Sequence, residues 1–96
     1  MRFIVLVVAF AATPCWAQDA TTRSLAATCA NCHGTDGRST ATEIPALAGL
    51  PREHIVSQMK AFKDGTRPAT IMHQLAKGYS DQQIEQLATY FSRQSR

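Results

Sequence analysis

Two cysteines and a histidine form the motif with the most specific chemistry in this chain, Cys29-Ala30-Asn31-Cys32-His33. Its spacing lets the two thiols add to the two vinyl groups of a single haem while the adjacent imidazole reaches the iron. Haem is attached in this way outside the cytoplasm, so an export signal is expected upstream. The motif therefore predicts one haem c, bound covalently through Cys29 and Cys32, with His33 as an iron ligand.

Three other uses of the same residues explain less of the motif. A disulfide between Cys29 and Cys32 would close a very small loop and leave His33 without a role. A thioredoxin-type redox pair needs a βαβ context, which the sequence does not show. A zinc site needs four ligands, and only His54 and His73 remain to complete one. Haem attachment accounts for all three residues of the motif.

A haem iron bound by His33 has a second axial position, for which the chain offers Met59, Met72, His54 and His73. Met59 falls on the apolar face of a predicted helix, where packing is the commoner role, and His54 lies beside that face. Met72 follows an irregular segment and adjoins His73, so only one of these two can easily face the iron. We predict Met72, because thioether ligation is common in haem electron carriers. Two filled axial positions leave no room for a substrate, which indicates electron transfer rather than catalysis.

The first 17 residues have the features of a cleaved secretory signal. One basic residue precedes ten apolar ones, a run too short to span a bilayer, and small residues at Cys15 and Ala17 suit signal peptidase. Cys15 follows Pro14, which suits lipoprotein processing poorly, so no stable membrane anchor is expected. We predict a signal peptide over 1–17 and one soluble periplasmic domain over 18–96.

The composition of the predicted mature chain indicates a small domain that needs a bound group. Nine basic and seven acidic residues remain after residue 17, a formal charge of +2, and no run of Lys or Arg suggests a nucleic-acid partner. Of these 79 residues 29 are hydrophobic, and eleven of the 29 are Ala. A core with so little apolar volume usually needs a covalent cross-link or a bound group to be stable. A buried haem would supply the missing apolar surface.

Helix signals dominate, and nothing shows the alternation of a strand, so the predicted fold class is all-α. The predicted elements are helices over 20–31, 51–63 and 71–77, a final helix opened by a capping box at Ser80–Gln83, and irregular loops over 34–50 and 66–70. The first helix is expected to be capped by Thr21 or Thr22. Apolar residues recur at helical spacing in the second and last helices: Ile55, Met59 and Phe62, then Ile84, Leu87, Ala88 and Phe91.

Over its whole predicted mature length the sequence resembles the class I monohaem cytochromes c. The resemblance lies in CANCHG, in Ile44-Pro45-Ala46-Leu47-Ala48-Gly49, in Thr70-Ile71-Met72 and in the closing helix. It implies a small helical domain wrapped around one covalent haem. It also implies that Pro45 offers its carbonyl to the Nδ1–H of His33. The last helix is then expected to pack across the first, with Leu87, Tyr90 or Phe91 against Leu25 and Ala26.

More narrowly, AFKDGTRPATIM and LAKGYSDQQIEQLATYF are similar to the cytochrome subunits of flavocytochrome c sulfide dehydrogenases. They also resemble the halves of the two-haem c4 group. The resemblance implies an electron-transfer subunit, itself no enzyme, that accepts electrons from an FAD-containing flavoprotein which oxidises sulfide. Two alternatives stay open: a free carrier to an oxidase or reductase, and a haem gas sensor in which Met72 leaves the iron.

The charge of the chain favours a lasting interface over long-range steering. Two haem propionates would reduce the formal charge of +2 to about zero in the reduced protein. Small or apolar loop residues are expected near the haem edge, where they suit an interface core with few charges. These residues are Ile44, Ala46, Leu47, Ala69 and Ile71. For Leu47 and Ile71, packing against the haem is an equally good interpretation.

Overall fold

The computed structural model describes residue 1, residue 9 and residues 16–96, and all its regular elements are helical. They are α1 (Trp16–His33), a 3₁₀ turn (Thr35–Gly37), α2 (Arg52–Asp64), α3 (Met72–Ala76) and α4 (Asp81–Ser92). The all-α prediction is confirmed. The predicted signal peptide falls outside the described residues, except at positions 1, 9, 16 and 17. None of the described helices is both long enough and apolar enough to cross a membrane.

Helix α1 is longer than predicted. It begins at Trp16 and runs through Thr21 and Thr22, so the predicted cap at these threonines is wrong. No Gly or Pro interrupts the chain between Trp16 and His33, and nothing in the local sequence therefore stops the helix from extending toward the N-terminus. It ends at His33, and the next residue, Gly34, has a φ of 81°, a conformation that favours glycine.

The caps of α2 and α4 agree with the sequence. Helix α2 follows Pro51 and ends at Gly65, which takes the left-handed conformation with φ 79°. The predicted capping box of α4 is confirmed: Ser80 Oγ accepts from the Gln83 N–H at 3.1 Å, and Gln83 Oε1 accepts from the Ser80 N–H at 2.9 Å. Helix α2 thus starts and stops within one residue of its predicted bounds, and α4 begins where its capping box predicts.

Helix α4 is central to the packing, because it contacts both α1 and α2, while α3 packs on α2. The predicted crossing of the first and last helices is confirmed by one buried cluster that contains residues of both. Its buried members are Ala26, Ile55, Val56, Ile84, Leu87, Ala88 and Phe91, with Leu25, Leu47, Met59, Tyr79 and Tyr90 partly buried against it. Among the described residues only Ile84 is both large and fully buried, so the core is as thin as the composition indicates.

The capping box gives a direct test of how α4 is held. Ser80→Ala removes the side chain that accepts from the Gln83 N–H and should destabilise the protein by about 1 kcal/mol. In a domain of this size that loss lowers Tm by roughly 4–8 °C. Ser92→Ala, at the other end of α4, removes a hydroxyl bonded to the Thr89 carbonyl and should cost no more than about 0.5 kcal/mol. Equal losses in the two thermal melts would contradict the capping role.

Candidate haem site

The last two turns of α1 bring the motif residues to one side of the helix. Cys29 is partly buried, Cys32 is exposed and His33 is buried at 9% exposure. Residues at i, i+3 and i+4 share a helix face, so all three point toward the same side. Both cysteines are free thiols. Burial raises the pKa of the Cys29 thiol.

His33 is oriented by the backbone of the following loop. Its Nδ1 lies 2.8 Å from the carbonyl oxygen of Pro45. A proline carbonyl can only accept, so Nδ1 must carry the proton and donate. The tautomer this requires leaves Nε2 as the nitrogen that can bind a metal ion. The imidazole of His33 is therefore held in one orientation, with Nε2 available to bind a metal ion.

Gly37 allows the Pro45 loop to come this close to α1. Its carbonyl accepts from the N–H groups of Leu47 at 2.8 Å and Ala48 at 3.2 Å. Gly37 is buried with φ 79°, and a Cβ atom there would lie 2.8 Å from Cδ1 of Phe91. Only glycine fits the conformation and the space together. The turn after the motif thus fixes the loop that carries the acceptor of His33.

The same turn is attached to α4 by a short hydrogen bond. The Tyr90 hydroxyl donates to Asp36 Oδ1 at 2.6 Å. This bond lowers the pKa of Asp36 below its ordinary 3.8 and raises the pKa of Tyr90 above its ordinary 10.0. Nearby, Arg38 Nε donates to the backbone carbonyl of Ser95 at 2.7 Å. These contacts join the segment between His33 and Pro45 to α4 and to the residues that follow it.

The candidates for the second axial position differ in their surroundings. Met59 packs against the buried cluster and His54 is exposed. Met72 is the first residue of α3 and is half-buried. His73 is also half-buried, and its Nδ1 is buried without a hydrogen-bond partner in the described part of the protein.

Several features of the described residues fit a haem. The donor set is two free thiols and an oriented imidazole on one helix face. Ile71 and Leu75, on either side of Met72, are 56% and 47% exposed, far more than is usual for large apolar side chains. Four of the nine buried hydrophobic residues in the described part of the chain are Ala. The exposed side chains of Ile71 and Leu75 are apolar surface of the kind that a large apolar cofactor can cover.

A small all-α domain with C-x-x-C-H at the end of its first helix defines a c-type cytochrome domain. Residues 20–94 match the model of the cytochrome c family, and the chain belongs to that family. It is therefore an electron-transfer protein that binds haem c covalently, and Cys29 and Cys32 have the spacing this attachment needs.

Three comparisons place the chain within the family. It is 42% identical over 72 residues to the cytochrome subunit of sulfide dehydrogenase from Chlorobaculum tepidum, which covers 75% of this chain and 64% of that one. It is 42% identical over 69 residues to a thiosulfate dehydrogenase electron acceptor from Thiomonas intermedia, covering 71% and 32%. A cytochrome c4 structure from Acidithiobacillus ferrooxidans matches with TM-score 0.64 at 41% identity, covering 67% and 37%. The chain thus spans between one third and two thirds of the length of these relatives.

The loop residues expected at the haem edge have unequal exposure. Leu47 packs on the core, Ile44 and Ala69 are half-buried, and Ala46 and Ile71 are exposed. Sequence reasoning missed Leu75 as an exposed residue of α3. It also missed the hydrogen bonds of Asp36 and of Tyr79, whose partners lie about fifty residues away in the chain.

The bond between Tyr90 and Asp36 predicts a pH-dependent stability difference. Because the folded pKa of Asp36 is lowered, its contribution is present above the ordinary value of 3.8 and is lost as pH falls through the lowered pKa. Because the folded pKa of Tyr90 is raised, its contribution is present below 10.0 and is lost as pH rises through the raised pKa. Tyr90→Phe should therefore lower the free energy of unfolding most between about pH 5 and 9, and least in strong acid.

Urea unfolding of both proteins at several pH values, followed by far-UV circular dichroism, measures this difference. Tyr79→Phe is the matched control, because the Tyr79 hydroxyl bonds to Thr28 and to no carboxylate. In the acid range its stability loss should change less than that of Tyr90→Phe, because no carboxylate accepts from the Tyr79 hydroxyl. A loss for Tyr90→Phe that changes no more with pH than this control would show that the Asp36 bond does not stabilise the fold.

Proposed function

We propose that this chain is a periplasmic electron-transfer cytochrome whose haem is held by Cys29, Cys32, His33 and Met72. The observation that carries the proposal is the hydrogen bond from His33 Nδ1 to Pro45, which leaves Nε2 available to the iron. When bound, haem c supplies one-electron Fe(III)/Fe(II) chemistry. Residues 1–17 serve as the signal peptide, and residues 18–96 form the cytochrome domain.

Met72 is the preferred second axial ligand. It lies half-buried at the start of α3, next to the exposed apolar side chains of Ile71 and Leu75. Met59 already contributes to the buried cluster, so a role as ligand would remove it from the core. A thioether ligand together with burial of the haem raises the reduction potential, which suits an acceptor of electrons from a flavin.

Substitution of each methionine tests this assignment. Met72→Ala should abolish the weak far-red sulfur-to-iron charge-transfer band of the oxidised protein and lower the reduction potential, since a thioether favours Fe(II). Met59→Leu should keep the band and cost less than about 1.5 kcal/mol of stability, because the swap nearly conserves volume. Absorption spectra and redox titration of the two holoproteins measure these effects. Loss of the band in Met59→Leu alone would move the ligand to Met59.

The electron donor is proposed to be a larger exported flavoprotein that contains FAD and oxidises sulfide. Similarity to a cytochrome subunit of sulfide dehydrogenase supports this choice. The low formal charge of the chain favours an interface held by apolar contact. Ala46, Ile71 and Leu75 offer exposed small or apolar side chains for such an interface.

Co-expression with the flavoprotein encoded in the same organism tests the partner. We expect a one-to-one complex that survives gel filtration in about 1 M salt, where charges are screened beyond roughly 3 Å. Ile71→Asp should dissociate it, whereas Ser57→Asp, at an exposed position of α2, should leave it intact. A monomeric cytochrome whose reduction rate falls steeply with ionic strength would favour the second candidate.

That second candidate is a free carrier that accepts electrons from a soluble dehydrogenase. Similarity to a thiosulfate dehydrogenase electron acceptor supports it, at the same 42% identity as the sulfide dehydrogenase subunit. The ligand set and the chemistry at the haem are the same in both proposals. They differ only in the lifetime of the complex with the donor, which the gel filtration measures.

A further inference from the structure

The phenol of Tyr79 reaches from the link between α3 and α4 across to α1. Its oxygen lies 3.1 Å from Thr28 Oγ1, and its ring packs against the buried cluster. The Thr28 hydroxyl donates its single proton to the Leu25 carbonyl at 2.7 Å. Thr28 Oγ1 is therefore the acceptor and the Tyr79 hydroxyl is the donor. The bond ends at the residue that directly precedes Cys29.

The backbone of Tyr79 is hydrogen-bonded to residues of α2 and α3. Lys63, in the last turn of α2, donates from Nζ to the Tyr79 carbonyl at 2.7 Å, and this Nζ also lies 3.6 Å from Asp81 Oδ1. The Tyr79 N–H donates to the Ala76 carbonyl at the end of α3, at 3.2 Å. One residue is thus bonded to α1, α2 and α3, and Ala76 lies one helical turn from Met72.

We propose that Tyr79 is a positioning residue that holds Met72 in place relative to the motif helix; the inference rests on the assignment of Met72 under the proposed function. Helix α1 carries His33 and α3 carries Met72, yet the main packing of α3 is with α2. The bond from Tyr79 to Thr28 joins the α3–α4 segment to α1 directly. Supporting hydrogen bonds of this kind fix the geometry of metal ligands, and their loss loosens it.

Competition by imidazole in the oxidised holoprotein tests this role. Tyr79→Phe keeps the ring and removes the donor, so Met72 should leave the iron more readily. We expect the imidazole concentration that removes half of the sulfur-to-iron band to fall about fivefold, the equivalent of one net hydrogen bond. Thr28→Val removes the acceptor and should give the same shift. The double variant should shift no further, because both changes break one bond.

Thr89→Val is the matched control, since Arg52 Nε donates to Thr89 Oγ1 at 2.9 Å and this bond joins α2 to α4 instead. It should leave the imidazole midpoint unchanged, even where thermal melts show a loss of stability. Should Tyr79→Phe fail to accumulate as holoprotein, Thr28→Val carries the test alone.

Unchanged midpoints in Tyr79→Phe and Thr28→Val, in a protein whose wild type shows the band, would overturn the positioning role and leave the proposed function standing. Midpoint shifts in Tyr79→Phe and Thr28→Val that are no larger than the shift in Thr89→Val would also overturn the positioning role. A wild-type protein without the band would overturn the assignment of Met72, and this inference with it.

Discussion

The hydrogen bond from His33 Nδ1 to the Pro45 carbonyl is the constraint on which the rest of this site depends. It joins the end of α1 to a loop twelve residues further along and decides which imidazole nitrogen can bind a metal ion. To make it, the chain must reverse direction within a few residues of the motif. Gly34 and Gly37 permit that reversal with φ values of 81° and 79°, and Gly37 also accepts two backbone bonds from the returning loop.

The helices then serve as supports for this arrangement. Helices α1 and α2 both pack against α4. The hydrogen bond from Tyr90 to Asp36 joins the 3₁₀ turn after the motif to α4. Helix α3 adds little to the core, since only Ala76 of its five residues is buried. Its other apolar residues, Met72 and Leu75, lie half-buried or exposed. A helix placed in this way contributes little to the stability of the fold and is suited to present side chains to a cofactor.

Local signals predicted most of the helices. The capping box at Ser80, the stop at Gly65 and the helical spacing of Ile84, Leu87 and Phe91 each act within one or two turns, so they can be recognised in a sequence. The start of α1 could not be predicted in this way, because threonine occurs both at the N-caps of helices and inside them. Thr21 and Thr22 therefore do not mark where the helix begins. The motif and its chemistry were recognisable for the same reason, since all three residues lie within five positions.

Contacts between distant segments could not be derived from residue types. The Thr28–Tyr79 and Asp36–Tyr90 bonds join residues 51 and 54 positions apart, and they depend on how the helices cross. The bond between His33 and Pro45 was expected only through a family resemblance, because nothing in the spacing of these two residues requires it. The exposure of Leu75 also depends on how α3 packs against the other helices.

The central claim is that one haem is covalently attached through Cys29 and Cys32. Acid–acetone extraction of the protein from an exporting host, followed by tryptic mass analysis, tests it most directly. Cleavage after Arg23 and Arg38 releases residues 24–38 with both cysteines. The account predicts that the colour stays with the precipitated protein and that this peptide carries the mass of one haem. A coloured acetone phase together with an unmodified 24–38 peptide would contradict it.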